Sequence, residues 1–101
     1  MRFQMIHPRE IAHIQKHRGA LVVDVREPEK YAQEHFKGAR NIPYGELERC
    51  LCRLPARPMI LYCDYGSTSL LAARKLGAAG YEVYTVIGGF DAMRHMISID
   101  R

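Results

Sequence analysis

The chain has 101 residues, 48% of them hydrophobic and 26% charged, with a formal charge of +4. That length and balance suit one soluble domain over residues 1–101. They exclude a membrane span, since no apolar run approaches ~20 residues, and the scattered basic residues give no block of charge for nucleic acid.

The amino-terminal MRFQMIHPRE has no apolar signal segment, so the expected compartment is the cytoplasm. Residues 2–6 (RFQMI) read as a short first strand. HPREIAHIQKH (7–17) reads as a helix, with Pro8 near its start and Gly19 ending it. ALVVDV (20–25) is the continuous apolar run expected of a strand covered on both faces. EPEKYAQEHF (27–36) is read as a second helix and ARNIP (39–43) as a short extended segment. YGELERCLCRLP (44–55) is read as a third helix, with Leu47, Leu51 and Leu54 on one stripe. PMILYC (58–63) is the next buried strand, STSLLAARKLGAAG (67–80) a helix closed by Gly80, YEVYTVI (81–87) a strand and GFDAMRHMI (89–97) a last helix. Alternating strands and helices with short connections predict an α/β domain with a mostly parallel sheet and helices on both faces. In such sheets the ligand sits beyond the carboxyl ends of the strands, where Cys63 falls.

The chemistry is concentrated in CDYGSTS (63–69). Gly66 can take positive φ and let the chain curl around the thiol. Ser67, Thr68 and Ser69 follow as a helix begins, and a first helical turn carries unpaired N–H groups and partial positive charge. The result is an anion cradle around sulfur, which favours the thiolate and holds a negatively charged group bonded to it. Cys50 and Cys52 form CLC, which lacks metal-site spacing; residues two apart on a helix do not face each other. With an odd cysteine count of three, no complete disulfide framework is expected. Each of the pair is a secondary candidate as a relay thiol for Cys63. His13 and His17 have i,i+4 spacing but no third ligand, so no metal is assigned. His35 is read as structural.

These residues resemble the rhodanese family over nearly the whole chain. LVVDVREPEKYAQEHFKGARNIP (21–43) is similar to its first signature, YCDYGSTS (62–69) to its catalytic loop and AAGYEVYTVIGGFDAM (78–93) to its closing strand and turn. The resemblance implies a three-layer fold with a central sheet of about five strands. It implies a sulfurtransferase in which Cys63 accepts a sulfane sulfur, carries it as a persulfide and passes it to a nucleophile. The loop Asp64, Tyr65, Gly66, Ser67, Thr68 and Ser69 would bind the anion, with Asp24 and Arg26 supporting it or closing the strand end as an ion pair. No metal or organic cofactor is implied. Partners would be a small sulfur donor such as thiosulfate or a persulfide, and an acceptor: cyanide in an assay, a thiol or a sulfur-carrier protein in the cell. The other readings are a non-catalytic partner-binding module and a redox thiol protein using Cys63 with Cys50 or Cys52.

The loop departs from the family pattern. Five positions after the cysteine, where many members carry arginine, stands Thr68, and Asp64 follows the cysteine directly. The sixth position is Ser69, so the arginine clamp of a tyrosine-phosphatase-like or arsenate-reductase reading is missing. Asp64 is expected to point outward and select against small dianions, or to meet a protein partner. Gly88 and Gly89 are expected to form a tight turn beside the pocket.

Overall fold

Five parallel strands form the centre of the molecule, in the order Phe3–Ile6 (β1), Val83–Val86 (β6), Met59–Tyr62 (β5), Leu21–Asp24 (β2) and Arg40–Asn41 (β4). The computed structural model describes residues 3–96 and 99–100. A separate antiparallel pair joins β3 (His35–Phe36) to β7 (Ile99–Asp100). The helices are α1 (Ile11–Arg18), α2 (Pro28–Gln33), α3 (Leu47–Cys50), α4 (Ser67–Ala78) and α5 (Gly89–Met93).

Strand alternation sorts the apolar residues into two cores. Val22, Ile60, Tyr62, Tyr84 and Val86 face one side with Ile11 and Ile14 of α1 and Phe90 and Met93 of α5. Val23, Met59, Leu61 and Val83 face the other with Leu47 of α3 and Ala72, Ala73 and Leu76 of α4. The β5 strand lies between β2 and β6 with helices on both sides, and all four of its residues are fully buried. That is the environment its unbroken apolar sequence requires. Burying each such side chain contributes about 1.5–3 kcal/mol, so PMILY anchors the residue that follows it.

Four expected helices are corrected. The helix expected over 7–17 opens as a 3₁₀ turn at Pro8–Glu10, capped reciprocally by His7 and Glu10, before α1 runs to Arg18. The helix expected over 27–36 ends at Gln33, where Glu34 is extended. Phe36 then packs in the core, and its N–H donates to the Tyr62 hydroxyl at 3.0 Å. A helix continuing through Phe36 could not make that bond. The helix expected over 44–55 breaks into a 3₁₀ turn at Tyr44–Glu46, the single turn of α3 and a 3₁₀ turn at Leu51–Arg53. Leu54 is extended, as a residue before proline prefers. The last helix, expected to reach 97, ends at Met93, and residue 97 lies outside the described residues.

Candidate active site

Cys63 leaves the end of β5 at the carboxyl edge of the sheet, beside the end of β2 at Asp24 and the turn after β6 at Gly88. Two contacts from α5 hold the loop there. The Phe90 N–H donates to the Cys63 carbonyl at 2.7 Å, and the Asp91 N–H donates to the Asp64 carbonyl at 3.0 Å. Gly89, at φ +59°, permits this approach: a Cβ there would lie 2.5 Å from the Cys63 carbonyl oxygen. With these carbonyls engaged by α5, Gly66 at φ +112° turns the chain into α4.

The turn wraps the sulfur. The N–H of Gly66 donates to Cys63 Sγ at 3.1 Å and that of Ser69 at 3.3 Å. The thiol donates to Ser69 Oγ at 3.6 Å. Ser69 is fully buried, and its hydroxyl donates to the Gly66 carbonyl at 3.1 Å while lying 2.8 Å from Thr85 Oγ1. With its proton committed to Gly66, Ser69 accepts from Thr85. Thr85 on β6 thus braces the loop from beneath. Cys63 itself is only 4% exposed, yet it lines an open cavity of about 350 Å³ with Ser67, Thr68 and the exposed Tyr65.

The cavity's charge comes from beyond the loop. Arg26 is buried and grips Asp24 through Nε and Nη2 at 2.7–3.0 Å. Its Nη2 also donates to the Glu34 carbonyl, and its guanidinium lies 4.3 Å from the Phe90 ring centroid. Burial opposes the Arg26 charge, but the Asp24 hydrogen bonds and the charges of Asp24 and Asp64 outweigh it, and its pKa is raised. Removing one member of such a buried pair typically costs 3–5 kcal/mol. Arg26 is therefore a fixed strut. Its remaining Nη1 lies 3.5 Å from Asp64 Oδ1. Asp64 also accepts from Lys30 Nζ of α2 at 2.9 Å. Two cations, Arg26 and Lys30, and two carboxylates, Glu27 and Asp64, thus line the cavity. A smaller cavity of about 170 Å³ shares Arg26, Lys30, Asp64 and Tyr65 with it, so the Lys30–Asp64 pair stands between the two.

Residues 7–95 match the rhodanese-like domain family. The chain belongs to that family. Among its relatives is the thiosulfate sulfurtransferase GlpE of Stutzerimonas stutzeri, 35% identical over 95 residues that span 92% of this chain and 87% of the relative. GlpE of Pseudomonas aeruginosa PAO1 is 30% identical over 100 residues, spanning 97% and 90% of the two chains. The rhodanese-related protein of Thermoplasma volcanium superposes with a TM-score of 0.87 at 23% identity, covering 96% of this chain and 97% of the other. Reduced CoADR-RHD of Bacillus anthracis superposes at 0.82 and 35% identity, covering 90% of this chain but 16% of the larger protein.

In this rhodanese-like chain the residues singled out from sequence converge. Cys63, Asp64, Tyr65, Ser67, Thr68 and Arg26 border one cavity, Gly66 and Ser69 reach the sulfur directly, and Asp24 acts on the site through Arg26. Asp64 does not stand alone at the surface: it is 33% exposed and bonded to Lys30. Cys50 is half-buried and lines a different cavity with Arg40, Glu46 and Arg53; the side chain of Cys52 lies outside the described residues. The His13 and His17 rings lie 4.2 Å apart, and among the described residues no cluster of three metal-ligating side chains occurs. His35 stacks on Tyr31 in a structural contact at 3.7 Å. Among the described residues no helix is long and apolar enough to cross a membrane.

Lys30 and Thr85 were not singled out from sequence. Thr85 carried a signal, since it is a hydroxyl inside an otherwise apolar and aromatic strand, where a buried polar group needs a partner. Lys30 carried none: it reaches Asp64 across 34 residues of sequence.

Proposed function

We propose that this rhodanese-type sulfurtransferase carries sulfane sulfur as a persulfide on Cys63. The observation that carries the reading is the pair of loop N–H groups, from Gly66 and Ser69, directed at Sγ from 3.1 and 3.3 Å. Donors aimed at a sulfur stabilise an anion there without reorganising during reaction. The first turn of α4 adds its partial positive charge.

The Cys63 thiolate uses a lone pair to form a bond to the outer sulfur of the donor. With thiosulfate, the donor's S–S bond breaks and its electron pair leaves on sulfite; with an organic persulfide, it leaves on the thiolate. Cys63 then bears a persulfide anion. An acceptor nucleophile bonds to the outer sulfur and the electron pair of the Cys63 S–S bond returns to Sγ. Cyanide thereby becomes thiocyanate, and a thiolate becomes a persulfide. Charge balances in each half, and no redox partner is needed. Thiosulfate or another persulfide donor, and a thiol or sulfur-carrier protein as acceptor in a cytoplasmic setting, fit this chemistry.

The test is steady-state kinetics with both substrates varied. A covalent carrier predicts ping-pong behaviour, with one sulfite released per enzyme from thiosulfate before any acceptor is added. Intersecting-line kinetics with no acceptor-independent sulfite would contradict it.

A further inference from the structure

The cavity that opens on Cys63 has cations, but they are already engaged. Arg26 is held by the buried Asp24 carboxylate, the Glu34 carbonyl and the Phe90 ring. Its guanidinium cannot swing toward a ligand without breaking a buried pair. Lys30 is the more exposed of the two, with its side chain 55% exposed, and Asp64 holds its ammonium at 2.9 Å. Asp64 also faces Arg26 Nη1 at 3.5 Å. Its main chain is fixed by the Asp91 N–H, so the carboxylate is anchored at the cavity wall. Glu27 adds a second carboxylate to the lining.

We infer that the Asp64–Lys30 pair is a charge filter on the sulfur donor, setting a preference for monoanionic over dianionic sulfane donors. The inference rests on the sulfurtransferase reading above. Backbone N–H groups reward negative charge at the sulfur whatever the rest of the donor carries. Asp64 penalises the charge of the whole donor and occupies the cation that would otherwise offset it. Coulomb energy scales with ligand charge, so the effect of Asp64 on the logarithm of kcat/KM is about twice as large for a dianion as for a monoanion.

Thiosulfate and methanethiosulfonate make the comparison. Both present a terminal sulfane sulfur on a tetrahedral sulfur centre, but a methyl group replaces one charged oxygen in the second. In each, the Cys63 thiolate bonds to the outer sulfur and the electron pair of the breaking S–S bond leaves, on sulfite or on methanesulfinate. The experiment measures kcat/KM for both donors in the wild type, Asp64→Asn and Lys30→Met. Asp64→Asn keeps the side-chain shape and removes the charge. It is expected to raise kcat/KM roughly tenfold for thiosulfate and roughly threefold for methanethiosulfonate at low salt, with the difference shrinking as ionic strength rises. Lys30→Met leaves the Asp64 charge uncompensated and is expected to shift the donor ratio the opposite way. Circular dichroism and thermal melting establish that each variant is folded. Equal changes for the two donors, or no change, in folded Asp64→Asn would overturn the filter while leaving sulfur transfer intact. Absence of sulfur transfer from both donors in the wild type would overturn the sulfurtransferase reading and the filter with it.

Discussion

The hydroxyls of Ser69 and Thr85 lie 2.8 Å apart, one at the start of α4 and the other on β6, and both residues are buried. This contact ties the loop that wraps Cys63 to the central sheet. Ser69 has three roles in that loop: its N–H reaches the sulfur, its hydroxyl accepts from the thiol and it donates to the Gly66 carbonyl. Thr85 is not part of the lining of the donor cavity, and its hydroxyl reaches the loop through Ser69, so it acts as a positioning residue.

Thr85→Val preserves shape and removes the hydroxyl. The predicted cost is about 1 kcal/mol of stability, the typical net value of one such bond. Sulfur loading of Cys63 should slow several-fold, and Thr85→Ser should restore it. Loss of stability with an unchanged loading rate would make the contact purely structural.

The turn after β6 is predicted to be the least tolerant backbone position near the site. Gly89→Ala would place a Cβ 2.5 Å from the Cys63 carbonyl and 2.7 Å from the Asp64 carbonyl carbon, at φ +59°. Gly19 has a similar φ of +64°, but nothing lies within 4 Å of its Cβ position. Gly19→Ala should therefore cost only the left-handed backbone penalty, about 1–2 kcal/mol. Gly89→Ala should cost more, because backbone must also move, and it should displace the loop. Urea unfolding of the two variants measures the contrast; equal losses would mean that the α5 turn is freer than its contacts imply.

Stability should fall at alkaline pH through Tyr62. Burial, with the nearby Asp24 charge, pushes its phenol pKa up. An unfolded tyrosine ionises near 10. The folded value lies above that, so the contribution is fully present below about pH 10 and lost as pH rises through the folded value. One such group gives a slope of about 1.4 kcal/mol per pH unit. Tyr62→Phe should flatten the decline above pH 10 by about one proton's worth, leaving the smaller part due to Tyr84, whose pKa is raised chiefly by its hydrogen bond to Glu82. At neutral pH the variant loses the acceptor for the Phe36 N–H. Identical alkaline slopes in urea titrations would contradict the assignment.

The parts visible from sequence are those encoded locally. PMILY is apolar at every position because β5 is covered on both sides, and CDYGSTS places a glycine where the chain must reach φ +112°. The parts that were not visible depend on distant partners. The segment 27–36 has a helical pattern to its end, but the Tyr62 hydroxyl and the core draw Phe36 into an extended strand. The β3–β7 pair joins residues from opposite parts of the chain, and no local pattern announces it. The loop alone places Asp64 beside the thiol as a charge expected to point outward; its partners, Lys30 and Arg26, lie on another segment and are not legible there.

The most direct measurement is intact mass of the reduced protein after incubation with thiosulfate and, separately, with an organic persulfide, alongside Cys63→Ser and Cys50→Ser. The account predicts a gain of one sulfur atom in the wild type and in Cys50→Ser, reversed by cyanide and absent from Cys63→Ser. A gain that survives in Cys63→Ser, or no gain from either donor in folded, reduced protein, would contradict Cys63 as the sulfur carrier.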